Sequence, residues 1–392
     1  MSTVDAISTR SVGASPRSNW LFVEVVTHDG AVGLGEATHN GLEELVREEL
    51  NRLGQQIAGL RPSAACRAMS SEPVDASSFA RRIAVSALDQ ALWDIRGQQD
   101  NEPLRSQLAD EGVLPPEQVA LYANLNRALT IDRDPAAFGA IADRAVTDGF
   151  DAVKCAPFDG VKPGTADVSD LGPYMDGLAR IRVVHDAIGP DTQLTVDCHW
   201  RFELAAADRV LDDLAQLGVS TIEAVVPDGQ LVALARGGSS LSRPGVRLAA
   251  GEMATSVEQT IGLMETGLVD VVSPDVKYTG GVTALAEIAR ACREMSVGFS
   301  PHNPSGPVAS LASAQVLAAL GSNREPLEFP YAECPWRAAL LSGGECLADG
   351  ALRLPQGPGL GARLDAAVVA AHPPADIRRT VASSLERRGF LA

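Results

Sequence analysis

The chain has 392 residues, of which 45% are hydrophobic and 21% charged, a composition typical of folded globular proteins and not of disordered chains. Its formal net charge is −17 and it contains no block of Lys or Arg, which argues against nucleic acid as a partner. The N-terminus does not resemble a secretion signal and no apolar run could span a bilayer, so we expect a cytoplasmic protein without a membrane partner.

The first part of the chain predicts antiparallel β-structure followed by helices. Residues 19–36, NWLFVEVVTHDGAVGLGE, alternate in strand fashion around Asp29-Gly30, which is a strong hairpin signal. Helical apolar spacing follows, most clearly in VSALDQALWDIRGQ at 85–98. We therefore predict an α+β domain over residues 1–118.

From Val119 onward, short apolar runs alternate with helical segments. Eight of these runs resemble buried strands: LYANL, AVKCA, LTVDC, TIEAV, RLAAG, DVVSP, VGFSP and PLEF. Eight strand–helix units predict an α/β protein with a closed (β/α)8-type barrel over residues 119–356. An open doubly wound sheet is the alternative, but no GxGxxG follows its first strand. The turn-rich tail after Cys346 predicts irregular structure, and we expect residues 357–392 to complete the first domain.

Polar residues stand where seven of these strands would stop. They are Lys154, Asp197, Glu223, Glu252, Asp275, His302 and Glu328. From Asp197 onward they are 23–29 residues apart, about one strand-loop-helix-loop unit. A single polar residue at a strand end is most often a helix cap or a solvated loop residue. Seven in register predict a functional site, because the C-terminal strand ends of a parallel barrel meet at one mouth.

Five of the seven residues are acidic, and the first three of these, Asp197, Glu223 and Glu252, stand at consecutive strand ends. Three such groups would repel one another unless a cation lies between them, and an all-oxygen ligand set suits Mg²⁺. The six cysteines show no CxxC pair, so we expect neither structural zinc nor a disulfide framework. The sequence therefore predicts a Mg²⁺ enzyme.

Motifs in order over nearly the whole chain resemble the enolase superfamily, and specifically its mandelate racemase subgroup with the acid-sugar dehydratases. They are GLGEAT at 33–38, SALDQALWDIRG at 86–97, GPVA at 306–309 and GPGLG at 357–361, together with the strand-end residues. The resemblance implies an N-terminal α+β capping domain over the barrel, one Mg²⁺, and abstraction of a proton α to a carboxylate to give an ene-diolate. It also implies a homo-oligomer, from dimer to octamer.

The resemblance assigns a role to each strand-end residue. Lys154 would contact the substrate carboxylate, and His302 would be the base, with Asp275 accepting its other ring N–H. Glu328 would hydrogen-bond to the substrate carboxylate, for which it must be protonated or paired with a cation. The muconate-lactonizing and Ala-Glu epimerase subgroup of the superfamily carries a lysine where this chain has Asp275, so membership of that subgroup is excluded. Lys277, two residues further on, is interpreted as structural or adjacent to the substrate. The metal ligands would be Asp197, Glu223 and Glu252.

Two departures from the racemase pattern favour a dehydratase. Racemases of this subgroup carry Lys-x-Lys on the second strand, but this chain reads KCA at 154–156, so the second base is missing. DCH at 197–199 places His199 two residues after the first metal ligand. If the strand continued, the side chains of Asp197 and His199 would point to the same side of it. This resembles the Asp-x-His of galactonate and mannonate dehydratases, in which the histidine protonates the departing β-hydroxyl.

The leading hypothesis is therefore Mg²⁺-dependent dehydration of a small sugar acid to a 2-keto-3-deoxy acid. A racemase, epimerase or cycloisomerase acting at the same α-carbon is the alternative, and a non-catalytic metal-binding relative is the alternative from another class. The family's specificity lies in capping-domain loops, here expected within 9–19 and 36–42, with Arg10, Arg17 and His39 as candidate substrate contacts. The sequence leaves open which sugar acid binds.

Overall fold

The computed structural model of the protein describes residues 2–16, 18–70, 79–129, 132–237, 241–321, 325–343 and 345–377. The chain begins with a three-stranded antiparallel sheet in the order β1 (Val4–Ser15), β2 (Ser18–Thr27) and β3 (Val32–Glu36). Gly30, in the turn between β2 and β3, adopts a φ of 85°. The predicted hairpin at Asp29-Gly30 is therefore confirmed.

Helices cover this sheet, and two glycines let one of them approach closely. The helices are α1 (Glu43–Ile57), α2 (Pro62–Ser70), α3 (Phe79–Asp100) and α4 (Leu104–Leu108). A Cβ atom at Gly33 or Gly35 of β3 would lie 2.0 Å from a carbonyl oxygen of α3, that of Ala91 or Ala87 respectively. The GLGE motif thus places the backbone of β3 directly against α3.

Parallel strands form the centre of the second part of the chain. All eight predicted strands are present: β4 (Gln118–Asn124), β5 (Ala152–Cys155), β6 (Gln193–Asp197), β7 (Thr221–Glu223), β8 (Arg247–Ala250), β9 (Val271–Val272), β10 (Gly298–Phe299) and β11 (Leu327–Phe329). They pair in sequence order from β4 to β10, and β11 pairs with β4. No ladder joins β10 to β11 within the described residues, but the Ser300 hydroxyl donates to the Pro326 carbonyl oxygen at 2.7 Å across this gap.

Helices alternate with these strands. They are α5 (Pro135–Thr147), α6 (Gly172–Ile188), α7 (Leu204–Gln216), α8 (Asp228–Arg236), α9 (Val257–Met264), α10 (Gly281–Met295) and α11 (Pro307–Leu320). All 14 residues of α11 are buried. Its first turn is capped from the other domain, since the Glu36 carboxylate of β3 accepts the Gly306 N–H at 2.7 Å and the Ala309 N–H at 2.9 Å. None of the helices in the described ranges is long and apolar enough to cross a bilayer.

The prediction of irregular structure after Cys346 was wrong, because the described residues from Cys346 onward include three short strands and a helix. The elements here are β12 (Leu341–Ser342), β13 (Cys346–Ala348), β14 (Ala351–Arg353), β15 (Arg363–Leu364) and α12 (Ala366–Ala371). β13 and β14 form a hairpin that extends β4 on its antiparallel side. Asp349 and Gly350 form its turn with φ of 48° and 66°, the left-handed conformation that a two-residue hairpin turn requires.

The C-terminal segment returns to the first domain. The Leu360 N–H donates to Asp94 Oδ1 of α3 at 2.8 Å, and the Gly13 N–H of β1 donates to the His372 carbonyl oxygen at 3.0 Å. These contacts support the predicted packing of the tail on the capping domain. The exact domain boundaries stay predictions.

Candidate active site

Three carboxylates converge at the C-terminal ends of neighbouring strands. Asp197 ends β6, Glu223 ends β7 beside it in register, and Glu252 lies two residues past β8. One oxygen from each lies within 4.8 Å of the others, and all three side chains are buried. Glu223 Oε1 is buried without a hydrogen-bond partner among the described residues. A hard cation with oxygen ligands fits this set, because it would satisfy that oxygen and offset the mutual repulsion.

The charges of the cluster are unbalanced in the protein alone. Burial raises the pKa of Asp197, but His199 and Lys154 outweigh burial and bring this pKa to about 2. The pKa of Glu223 is raised, because burial and the charge of Asp197 exceed the effect of Lys154. A bound cation would therefore favour the anionic form of Glu223.

Lys154 links the carboxylate cluster to the last strand. Its Nζ lies 2.7 Å from Glu223 Oε2 and 2.9 Å from Glu328 Oε1, and the side chain is 1% exposed. Burial lowers the pKa of Lys154, but the two carboxylates raise it well above its ordinary value, so the ammonium stays charged. Despite burial, Lys154 and His302 keep the pKa of Glu328 low. We expected Glu328 to be either protonated or paired with a cation, and the structure shows it paired with the Lys154 ammonium.

The predicted Asp275–His302 pair is formed. His302 Nδ1 lies 2.9 Å from Asp275 Oδ2. Burial raises the pKa of Asp275, but Lys277 and His302 outweigh it and bring this pKa to about 2. An ionised carboxylate can only accept, so His302 donates from Nδ1. Its Nε2 is then the free acceptor, and it lies 3.6 Å from Glu252 Oε2, on the side of the carboxylate cluster.

Lys277 lies behind this pair. Its Nζ is 2.6 Å from Asp275 Oδ2 and also donates to Ser305 Oγ. The side chain is buried and does not line the cavity described below. These contacts support the structural interpretation of Lys277 over contact with the substrate.

His199 lies beside the carboxylate cluster, but its backbone is not part of a strand. β6 ends at Asp197, and His199 and Trp200 follow with left-handed φ of 49° and 52°. The expectation that His199 continues a strand was therefore wrong, although its side chain does lie beside the first ligand. His199 Nε2 is 2.8 Å from Asp197 Oδ2, and the side chain is 45% exposed. Each carboxylate oxygen has two lone pairs, so this contact leaves Asp197 able to bind a cation.

A cavity of about 330 Å³ connects these groups. Six of the predicted site residues line it: Lys154, Asp197, His199, Glu252, His302 and Glu328. Further lining residues that the sequence reasoning missed are Asn40, Asn124, Asn126, Arg127, Trp200, Arg201 and Pro304. Asn124 ends β4, so the strand-end rule applied to the first strand would have found it. Asn126 and Arg127 lie in a short 3-10 helix directly after β4, and the others lie in loops that no periodicity describes.

Of the three predicted contacts from the capping domain, the two that the structure describes, Arg10 and His39, do not line this cavity. Arg10 lies on β1, is 55% exposed and pairs with Glu24 at 3.1 Å. β1 extends to Ser15, so much of the segment 9–19 is strand and not a specificity loop. His39 is buried against the rings of Phe79 and Tyr278, with centroids 5.2 and 5.9 Å away. Arg17 lies outside the described residues, and Asn40 is the residue of segment 36–42 that lines the cavity.

A larger cavity, of about 820 Å³, lies between α8 and α9. It contains none of the strand-end residues, and most of its lining comes from helix surfaces. We place the active site in the smaller cavity because the ionisable groups converge there.

An α+β cap over parallel strands whose ends gather three carboxylates, a lysine and an Asp–His pair defines an enolase-type enzyme. Residues 137–368 match the family model described as enolase C-terminal domain-like, and residues 4–108 match the N-terminal domain of mandelate racemase and muconate lactonizing enzyme. The chain therefore belongs to the enolase superfamily, in its mandelate racemase group.

Curated relatives of similar sequence are acid-sugar dehydratases. D-gluconate dehydratase of Thermoproteus tenax is 30% identical over 89% of this chain and 69% of its own length. D-xylonate dehydratase of Haloferax volcanii is 28% identical over 90% and 85%. D-galactonate dehydratase of Xanthomonas oryzae pv. oryzae is 29% identical over 77% and 76%.

Solved structures agree on the fold. A mandelate racemase/muconate lactonizing enzyme from Jannaschia sp. CCS1 superposes with a TM-score of 0.83 at 23% identity, covering 97% of this chain and all of its own. An enolase-superfamily member from Salmonella Typhimurium gives 0.82 at 20% identity, covering 95% and 99%.

Proposed function

We propose that this protein is a hydro-lyase that converts a sugar acid to a 2-keto-3-deoxy acid with the help of Mg²⁺. The observation that carries the proposal is that two histidines, His302 and His199, border one carboxylate cluster from different strand ends. His302 is buried and oriented by Asp275, outside the cluster, which suits a base. His199 contacts Asp197 of the cluster itself and is partly exposed, which suits an acid. The dehydratase names of the relatives support the same reaction.

Asp197, Glu223 and Glu252 would hold the Mg²⁺. When bound, the cation would offset the negative charge that develops on the substrate carboxylate as the α-proton leaves. Lys154 adds a fixed positive charge beside the cluster, held by Glu223 and Glu328. Asn124 and the Asn303 N–H also donate to Glu328, so its carboxylate is fixed in orientation.

His302 would take the α-proton at Nε2, because Nδ1 already donates to Asp275. Asp275 then stabilises the imidazolium that forms. His199 would give a proton to the β-hydroxyl, which leaves as water while the C–O electron pair departs with it. The enol that results becomes the 2-keto-3-deoxy acid.

The alternative of a racemase lacks a feature that it needs. Proton exchange on both faces of a carbon requires a second base, and Ala156 stands where the racemases carry their second lysine. The lysine that is present, Lys154, is engaged by two carboxylates. No observation in the site favours the racemase over the dehydratase.

A screen of the Mg²⁺-loaded protein against hexonates, pentonates and aldarates, read with semicarbazide, tests the proposal. Keto-acid formation from one or a few acids, absent in His302→Asn, is the expected result. An α-epimer without keto acid would replace the dehydratase with the epimerase. No reaction with any acid while Mg²⁺ still binds would contradict the proposed function.

A further inference from the structure

The loop after β6 brings Arg201 to the wall of the active-site cavity. Its backbone is held on both sides, since its N–H donates to the Cys198 carbonyl oxygen at 3.1 Å and its carbonyl oxygen accepts the Thr165 N–H at 3.0 Å. The side chain is half-buried, and its Nη1 donates to the Val161 carbonyl oxygen at 2.9 Å. The guanidinium is therefore fixed in place before any substrate arrives.

Three cations line the cavity among the described residues, and they differ in their partners. Lys154 lies between Glu223 and Glu328. Arg127 has Glu333 at 3.7 Å and donates to the Pro304 carbonyl oxygen. Arg201 has no carboxylate oxygen within 4.0 Å in the part of the chain that the structure describes, and its one hydrogen bond there leaves the rest of its donor fork without a protein acceptor.

A half-buried guanidinium without a counter-ion is costly, and its planar fork matches a carboxylate bidentately. The chain's net charge of −17 repels anions in general, so a fixed cation in the cavity has to attract them locally. A substrate hydroxyl could accept hydrogen bonds from the Arg201 guanidinium, but it would leave the positive charge of Arg201 without a counter-ion. Lys154 and the metal site already serve the reacting carboxylate, so Arg201 is available for a second anionic group.

We propose that the substrate is a sugar diacid, whose terminal carboxylate binds Arg201 while the other carboxylate reacts. This inference rests on the proposed function for the identity of the reacting end. It narrows the substrate class from sugar acids in general to aldarates, and it makes Arg201 a specificity-determining residue. Asn40 of the capping domain and Asn126 line the same cavity and are available to the intervening hydroxyls.

The test is calorimetric binding to the Mg²⁺-loaded His302→Asn protein, which removes the base and so reports affinity without turnover. The probes are matched pairs that differ only in the terminal group: D-glucarate and D-gluconate, galactarate and D-galactonate, xylarate and D-xylonate. We expect the diacid of at least one pair to bind about 10- to 100-fold tighter, the range for a charge-assisted hydrogen-bonded pair.

Adding Arg201→Gln should abolish this preference, because it should weaken the binding of the diacid far more than that of the monoacid. Arg209→Gln is the matched control, because Arg209 is an exposed residue of α7 whose loss removes the same charge. Equal binding of diacid and monoacid in every pair, or equal weakening of both by Arg201→Gln, would overturn the inference. The pairs are compared with Arg201 intact, so the test holds even if Arg201→Gln does not fold.

The dehydratase proposal and the diacid inference are contradicted by different results, so the experiments can tell their failures apart. Keto acid formed from monoacids without preference for diacids would remove the diacid inference and leave the dehydratase in place. Selective diacid binding without keto-acid formation would leave Arg201 as the anion site and contradict the dehydratase.

Discussion

At the scale of single residues, Asp275 Oδ2 is shared by two donors. Lys277 Nζ lies 2.6 Å away and His302 Nδ1 2.9 Å away, all three groups being buried. Lys277 therefore keeps Asp275 ionised without contacting the cavity, and the ionised Asp275 determines which ring nitrogen of His302 is free. A residue outside the cavity wall thus supports the proposed base.

Replacing Lys277 by Met should destabilise the protein by about 3–5 kcal/mol at pH 7, because it leaves a buried carboxylate without its main partner. The folded-state pKa of Asp275 is about 2, below the ordinary 3.8, so its ionic contribution is full above pH 4 and disappears as the pH falls through 2. Urea unfolding from pH 7 to pH 3 should show the difference between variant and parent shrinking with acid.

Lys162→Met is the control for that experiment, since Lys162 is exposed. Its free energy of unfolding should differ little from that of the parent. A loss for Lys277→Met that is small or independent of pH would mean that the ion pair does not hold Asp275 ionised.

His199→Asn separates the two proton transfers of the proposed reaction. Removal of a general acid should lower keto-acid formation about 10²- to 10⁴-fold. The base and its partner Asp275 are untouched, so the α-proton of the substrate should still exchange with solvent deuterium. Proton NMR in deuterated buffer measures that exchange, with His302→Asn as the control that should show none. Loss of exchange in His199→Asn would indicate that His199 binds or orients the substrate instead.

At the scale of elements, β3 connects the cap to the barrel. Gly33 and Gly35 place it against α3, and Glu36 at its end accepts two N–H groups at the start of α11. A carboxylate at a helix N-terminus satisfies otherwise unpaired donors and complements the helix dipole. The loop that leads into α11 carries His302, so the position of β3 affects the active site.

Gly35→Ala should destabilise the protein by about 2–3 kcal/mol, because the new Cβ would lie 2.0 Å from the Ala87 carbonyl oxygen and β3 would have to move from α3. Chemical denaturation measures this loss. Gly262→Ala provides a control of opposite sign: the site lies on α9 with open space around it, where alanine should stabilise by about 0.5–1 kcal/mol. Equal effects of the two substitutions would contradict the close approach of β3 to α3.

Most strands of the fold could be predicted from the sequence, whereas one hairpin and several cavity residues were missed. The eight barrel strands and their terminal residues were predicted because apolar runs recur at a regular spacing and a parallel barrel brings their ends together. The hairpin at Asp349-Gly350 was missed although the same dipeptide signal had been recognised at Asp29-Gly30. Asn40 lies in the predicted segment 36–42, but the sequence pointed to His39 instead. Arg201 could not be found, because its place depends on loop dihedrals such as the left-handed φ of Trp200, which no pattern encodes.

At the scale of the whole molecule, the carboxylate cluster couples metal binding to stability. A ligand that binds the folded state alone stabilises it by about 2.7 kcal/mol at 100 times its dissociation constant. We therefore expect the melting temperature to fall in EDTA and to rise with added Mg²⁺. In Glu223→Gln this Mg²⁺-dependent rise should largely disappear. Glu48→Gln, an exposed change on α1, should keep it, and a full rise in Glu223→Gln would place the metal elsewhere.

The return of the C-terminal segment to α3 and β1 affects how the protein can be made. The Leu360 N–H reaches Asp94, and the His372 carbonyl oxygen reaches Gly13, so the first domain lacks part of its packing until residues 360–372 have left the ribosome. Domains usually fold in order of synthesis, the N-terminal one first. Here the N-terminal domain has to wait until residues 357–372 have been synthesised, and a nascent chain stopped before residue 357 should engage chaperones through the uncovered faces of β1 and α3.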